Sequence, residues 1–547
     1  MGQGVDRRRL LAGGAGLAGA FAAGGANAAW LAAPSGAAVR TSNGPVRGTA
    51  EGGVRVFKGV RYGAPPTGAL RFKASVKPER WRDPADATRF GAPAMQMIDA
   101  ARLGEQTNPL AQSMESFAPY KQEAASDSED CLFLNVWTPG TSGRRPVMVW
   151  LHGGGYANGS GAWPAYDGTN LAAKGDVVVV TVNHRLNALG YLHLAELAGP
   201  EFAQSGNAGM LDLVLALQWV RDNARAFGGD PANVTIFGES GGGWKVSTLM
   251  AMPAAKGLFH KAIIQSGPGL QGVPAAKATA HAGAILTELK IAPTDAAALR
   301  AVPADDLIKA AQAVEARLPT TQRNEMQLAP VVDGVVLPSD PFTPGAPALS
   351  RDIPVLVGAN KDEMTLFLAT QPWWGQLTEA QLTAMAPMVG GPKAPRLIAE
   401  LKKTRPGYSP SHLAAAAVSW SSLLGNSVVL ADRKAQQGGA PVYAYRLDWE
   451  TPIGGGMLKS PHGLEIPLVF DTVERSRAFT GPGEEPVKLA RLMSDAWVAF
   501  ARTGNPNTPA LPDWPRYDVE RRPTMIFNTT PAVVNDPESE VRKVHQS

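Results

Sequence analysis

The sequence predicts an α/β fold in which a mostly parallel central sheet is flanked by helices. A small antiparallel sheet is expected at the N-terminal end, and helical insertions over the functional site. Three observations lead there. Short β-branched runs alternate with helical stretches through the body of the chain. A glycine-flanked serine follows directly on one of those runs and opens a helical pattern. The 547 residues, 44% hydrophobic and 18% charged, supply a large core and exclude a disordered or fibrous chain.

The elements follow in order. Val39 to Val60 alternates apolar and polar residues around Asn43-Gly44 and Gly52-Gly53, two turn signals, which predicts the small antiparallel sheet. The buried strands are then predicted at Pro146 to Leu151, Val177 to Val182, Val234 to Phe237, Ala262 to Gln265, Ile353 to Val357 and Pro441 to Tyr445. Between them, Leu211 to Phe227 places Leu213, Leu217 and Val220 at helical spacing. Ala276 to Ala313 is helical in pattern, broken at Pro293 and Pro303, and is expected to help cover the site. No period of about 20 to 50 residues recurs, and no low-complexity linker divides the chain. One catalytic domain, residues 29–547, is expected.

Residues 1–28 read as a twin-arginine-type signal peptide. Asp6-Arg7-Arg8-Arg9-Leu10-Leu11 precedes an uncharged Ala/Gly-rich stretch, and Ala26-Asn27-Ala28 fits a signal-peptidase site. The mature chain is therefore expected in the periplasm or outside the cell. No later segment reads as long and apolar enough for a membrane span, so no stable membrane insertion is expected. The formal charge is +4, and the leader's three arginines and one aspartate account for two of those charges. So balanced a chain carries no electrostatic footprint for nucleic acid. Cys131 is the single cysteine, which rules out an intramolecular disulfide and a cysteine-based zinc cluster. No metal-ligand spacing appears and no cofactor is implied.

Gly238-Glu239-Ser240-Gly241-Gly242 follows Val234-Thr235-Ile236-Phe237 and is the chain's G-x-S-x-G. Glycines there let the backbone turn sharply, leaving the serine hydroxyl exposed above a helix N-terminus. A serine needs a base to take its proton, and the attacked carbonyl oxygen needs fixed donors as it becomes an anion. Leu151-His152-Gly153-Gly154-Gly155-Tyr156 follows another strand, where consecutive glycines can aim N–H groups at that oxygen. The oxyanion hole is assigned to Gly154, Gly155 and Gly241.

In this order, FKGVRYGAPPTGALRF (57–72), SEDCLFLNVWTP (128–139), PVMVWLHGGGY (146–156), ALQWVRDNARAFGGDPANVTIFGES (216–240), AIIQSG (262–267), VGANKDE (357–363), HGLEIPLVF (462–470) and WVAFARTGNPN (497–507) resemble the type B carboxylesterases, the family of cholinesterases and bacterial para-nitrobenzyl esterases. The resemblance covers nearly the whole mature chain. It implies an α/β-hydrolase fold and a serine carboxylic ester hydrolase acting through an acyl-serine intermediate.

The order serine, acid, histidine leaves His412, His462 and His545 as bases. His412 opens an Ala-rich helix and His545 lies in a polar tail, whereas His462 matches the family's catalytic histidine in HGLEIPLVF. Spacing alone cannot separate Asp362 from Glu363 as the acid, and the family pattern places it at Glu363. The triad is thus expected to be Ser240, Glu363 and His462. Glu239 and Ser266 match residues that support the site in the family. Four departures stand out. Gly241 replaces the usual Ala, Lys245 a small polar residue and Met364 a common Gly. Ala94 stands where Cys131 would find its disulfide partner, which makes that loop more mobile by expectation. The substrate class expected is small-molecule esters with bulky or aromatic groups, with Trp244, Trp373, Trp374 and Trp420 as gorge-lining candidates. A lipase or amidase on the same triad, and a non-catalytic binding module, are the alternatives. Oligomeric state is not legible.

Overall fold

The computed structural model describes residues 38–96, 126–319 and 326–547. The leader lies outside them, as does most of the loop between Ala94 and Cys131 that was expected to be mobile. The strands are β1 (Val39–Arg40), β2 (Pro45–Arg47), β3 (Thr49–Glu51), β4 (Val54–Arg61), β5 (Ala85–Asp86), β6 (Phe133–Thr138), β7 (Arg145–Leu151) and β8 (Val178–Val182). They continue with β9 (Gly229–Glu239), β10 (Lys261–Gln265), β11 (Val273–Pro274), β12 (Val331–Val332), β13 (Val355–Asn360), β14 (Val442–Leu447), β15 (Pro523–Phe527) and β16 (Ala532–Asn535).

An eleven-stranded sheet in the order β16-β15-β14-β13-β10-β9-β7-β8-β6-β4-β3 forms the centre. Its middle, from β15 to β8, is parallel, and both margins are antiparallel. Alternation along each strand divides the core in two. On β7, Val147, Val149 and Leu151 join one apolar cluster, while Met148 and Trp150 join another. The first face is covered by the helix Ala208–Asn223 through Leu213, Leu217 and Val220, and by the helix Gly241–Leu249 through Val246 and Leu249. The second is covered by the helix Glu485–Thr503, which places Leu489, Met493, Trp497 and Phe500 on one stripe. That helix ends where Gly504 turns left-handed (φ +77°) and returns its N–H to the Phe500 carbonyl. Truncating any one of these fully buried aromatics costs roughly 3–5 kcal/mol.

Both N-terminal turns form as read, but the frontal sheet differs from expectation. β1 and β2 pair antiparallel across Asn43-Gly44, and β5 adds to them in parallel. The hairpin across Gly52-Gly53, β3 with β4, instead continues the central sheet, because β4 is long enough to pair with β6 and bury Val56, Phe57 and Val60. The stretch 276–313 forms the helices Ala275–Leu289, Ala296–Ala301 and Ala304–Arg317, interrupted at both prolines. Its residues Ile285, Leu299 and Leu307 pack in a cluster with Phe72, Leu192 and Phe202. The helical insertion that borders the site follows β13 and begins with the helix Thr365–Leu368. Among the described residues one stretch, Pro410–Gln436, is long and apolar enough to cross a membrane by length and composition, contrary to the sequence reading. It breaks at Ser422 into two helices, and 61% of its most apolar window is buried inside the protein, as in a core helix.

Candidate active site

Parallel neighbours leave the carboxyl ends of β9, β10 and β13 side by side, and the polar residues gather at that edge. β9 ends at Glu239. Ser240 then takes φ 55° and ψ −122°, a conformation costing a non-glycine residue about 1–3 kcal/mol. It is over-determined there: the Ser240 N–H donates to the Gln265 carbonyl (2.9 Å), and its own carbonyl accepts from Trp244 N–H (3.1 Å). The turn packs so closely on β7 that a Cβ on Gly242 would meet the Leu151 carbonyl oxygen at 1.9 Å. Gly241 opens the helix Gly241–Leu249, so its N–H is among the four that no helical carbonyl accepts. Gly155 (φ +62°) packs against it across the close contact between the two turns, Gly154 (φ +82°) precedes it, and the N–H groups of both donate to no other described residue. Three free donors and a helix N-terminus make this a place for a developing oxyanion.

His462 is buried beside this turn. Its Nδ1 lies 2.5 Å from Glu363 Oε2, and its backbone N–H donates to the Glu363 carbonyl (3.2 Å). Glu363 is fully buried, with Oε1 accepting from the Asn360 N–H at 2.6 Å. A carboxylate there holds a proton on Nδ1 and leaves Nε2 free to accept one. Nε2 stands 3.1 Å from Glu239 Oε1. Among the described residues no hydrogen bond joins the Ser240 hydroxyl to His462, and such links commonly tighten only once substrate is bound. The two acid candidates separate plainly. Asp362 Oδ1 is paired with Arg405 Nη1 (3.0 Å) and accepts from the Tyr408 hydroxyl (2.9 Å), and Arg405 also reaches Glu538.

Sequence reasoning missed two neighbours. Glu465, buried three residues beyond His462, accepts from Asn360 Nδ2 (2.6 Å) and from Ser266 Oγ (3.3 Å). Its spacing, one helical turn from His462, was the available signal. Phe367 sets its ring 5.2 Å from the His462 ring while remaining 45% exposed, and only its position four residues beyond Glu363 pointed to it. Of the four tryptophans, Trp244 is stacked on Tyr156 beside Gly155. Trp373 and Trp374 adjoin each other just after the Phe367 helix. Trp420 is a correction, since it is buried in the core with Nε1 donating to Glu538. His412 pairs with Ser409 and the Met457 carbonyl, and His545 is turned down to about 4 by burial.

The electrostatics centre on one imidazole facing three buried carboxyls. Burial alone would depress His462, but Glu239 and then Glu363 more than offset it and hold the ring above its ordinary value. Glu239 is pushed up by burial, and Glu465 is raised to about 7 by burial and by the neighbouring Glu363 charge. A base must be neutral, so kcat/KM is expected to rise with pH through a midpoint above 6.5, the unperturbed value. Glu239→Gln removes the largest raising charge and is expected to move that midpoint down. A pH–rate profile of the two proteins on a soluble ester checks it, and a midpoint unmoved by the substitution contradicts it.

The family model described as "Carboxylesterase family" matches residues 35–544. The chain belongs to that family. The para-nitrobenzyl esterase of Bacillus subtilis (strain 168) is 39% identical over 511 residues, covering 92% of this chain and 97% of that protein. The fumonisin B1 esterase of Sphingopyxis macrogoltabida is 36% identical over 506 residues, covering 89% and 86%. A crystal structure of a Geobacillus stearothermophilus carboxylesterase superposes with a TM-score of 0.78 at 37% identity, covering 93% of this chain and all of that one. This carboxylesterase-family protein therefore has the α/β-hydrolase fold and is a carboxylic ester hydrolase.

Two of its departures have local explanations. Met364 adopts a right-handed conformation (φ −83°) that any residue tolerates, with its N–H donating to Ser419 Oγ (3.1 Å). Cys131 is free and buried, which pushes its thiol up and leaves it unreactive.

Proposed function

We propose that this esterase cleaves small-molecule esters bearing aromatic or bulky groups through an acyl-Ser240 intermediate, and that it acts after export. The observation that carries the mechanism is His462, held at Nδ1 by buried Glu363 beside the Ser240 turn. Ser240 Oγ attacks the ester carbonyl as His462 Nε2 takes its proton, and the carbonyl oxygen becomes an anion facing Gly154, Gly155 and Gly241. His462 then gives the proton to the departing alcohol. Water, activated by the same nitrogen, releases the acid and restores the serine.

Aromatic preference is supported by the rings that border this turn: Trp244 stacked on Tyr156 (6.2 Å between centroids) and the exposed edge of Phe367 over His462. The similarity to a para-nitrobenzyl esterase points the same way. The test is a panel varying acyl and alcohol groups separately. Aryl and benzyl esters are expected to exceed matched alkyl esters in kcat/KM, with amides and emulsified long-chain triacylglycerols far slower. A faster rate on either of those last two would replace this reading with an amidase or a lipase.

Export rests on the Arg7-Arg8-Arg9 leader. N-terminal sequencing of exported protein is expected to begin at Ala29, with Lys in place of all three arginines retaining the precursor in the cytoplasm. Export of that variant at the native level contradicts the route.

A further inference from the structure

Lys245 is the least expected side chain near the site. It lies on the helix Gly241–Leu249 and is wholly buried, although lysines are almost never so without an anionic partner. No salt bridge to a described carboxylate holds it. Its Nζ donates instead to the backbone carbonyl of His152 (2.9 Å) and stands 5.6 Å from the centre of the Tyr156 ring. Both residues flank the glycines 153–155.

Gly241 sits four residues before Lys245, one helical turn away and on the same face. A Cβ at 241 would lie 2.5 Å from the Gly155 nitrogen and 2.2 Å from its oxygen, both backbone atoms that no side-chain rotation can clear. The helix thus touches the glycine loop at both ends: Gly241 against Gly155, and Lys245 on His152.

The groups facing the amine carry no compensating negative charge. His152 and His184 stack at 4.7 Å, and both imidazoles are turned down by burial and by Lys245 itself. Tyr156 is pushed up by burial, and Arg185 beyond is neutralised by Asp212. Burial lowers the amine to about 7. Both forms of an amine donate hydrogen bonds, so the contact to the carbonyl survives that titration.

We propose that Lys245 is a positioning residue for the oxyanion hole, its Nζ clamping the His152 carbonyl so that the Gly154 and Gly155 N–H groups are held in register against Gly241. The two departures at 241 and 245 are then one device: the lysine draws the loop onto the helix, and the glycine leaves room for it. The inference rests on the acyl-serine mechanism above and deepens it.

An aryl trifluoromethyl ketone tests it. Ser240 Oγ bonds to the ketone carbon, the serine proton passes to His462, and the carbonyl electron pair becomes an oxyanion, so with Ser240 and His462 unchanged a difference in affinity between variants reports on the hole. In Lys245→Met, which keeps length but loses the donor, kcat/KM and ketone affinity are expected to fall together by about 10- to 100-fold. KM and inhibition by the product acid should change less than about threefold. Lys245→Gln, which keeps a donor, should recover most of the loss. Lys245→Ser, too short to reach the carbonyl, should repeat the Met result and serves if the Met variant does not fold. Native ketone affinity in the Met or Ser variant, or a Gln variant no better than either, overturns the clamp. If the native enzyme itself does not form the adduct, the acyl-serine reading falls instead.

Discussion

Ser240→Ala is expected to lower kcat by about 10⁴- to 10⁶-fold while leaving the fold intact. The size of the effect follows from the arrangement at the end of β9. Without Oγ no acyl-enzyme forms, and the Gly154, Gly155 and Gly241 N–H groups can only polarise the ester for direct attack by water. Folding should be insensitive, because the Ser240 side chain is half-buried and makes no hydrogen bond to another described residue. The bonds that fix the turn use its backbone. The left-handed φ costs alanine about what it costs serine. Steady-state rates on a para-nitrophenyl ester, with circular dichroism and Tm on the same preparation, give the comparison. A folded variant keeping more than about 1% of the native kcat would remove Ser240 from the mechanism.

Glu363→Gln should be the second largest loss, about 10²- to 10⁴-fold in kcat with KM little changed. Glutamine fills the same space and can still accept from the Asn360 N–H. It removes the charge that stabilises the imidazolium, and its amide can present an N–H to Nδ1, which selects the wrong tautomer. Asp362→Asn makes the contrast. That carboxylate is 1% exposed and serves Arg405 and Tyr408, so its loss leaves a buried guanidinium with Glu538 as its remaining carboxylate. The expected result is destabilisation of about 3 kcal/mol, seen as a lower Tm, with kcat within about tenfold of native. If Asp362→Asn abolishes turnover while Glu363→Gln is mild, the acid is misassigned.

The contrast between adjacent residues shows where the sequence was legible. The alternation of buried strands and helices, the Gly238–Gly242 turn and the Gly153–Gly155 loop are local patterns, and each stands where its pattern placed it. At their carboxyl ends β9 and β13 ran past their apolar stretches, where one parallel neighbour still supplies a ladder partner: Gln265 opposite Glu239 and Leu447 opposite Asn360. β6, β15 and β16 were not singled out in the sequence; β6 and β16 pair only antiparallel, in the margins that flank the parallel centre. Which carboxylate faces His462 was not readable from spacing: Asp362 and Glu363 are consecutive, and the answer depends on Arg405, some forty residues on, claiming the first of them.

The polar surroundings of the site were the least legible part. Glu465 and Phe367 approach His462 only once the turns after β13 and β14 have folded over the sheet edge. Lys245 could be recognised as unusual from the motif around Ser240, but its partner, a backbone carbonyl at position 152, has no signature in sequence. Trp420 illustrates the converse. An aromatic residue chosen for a binding role was instead required by the core, where its indole N–H found Glu538.

The most direct test of the central claim is to mix the enzyme with excess para-nitrophenyl ester, quench in acid within milliseconds and map the acyl group by peptide mass spectrometry. The account predicts one acyl adduct, on Ser240, forming with the burst of para-nitrophenol and decaying at the turnover rate, and absent from Ser240→Ala. An adduct on another residue, or native turnover with acyl transfer still detected in Ser240→Ala, would contradict it.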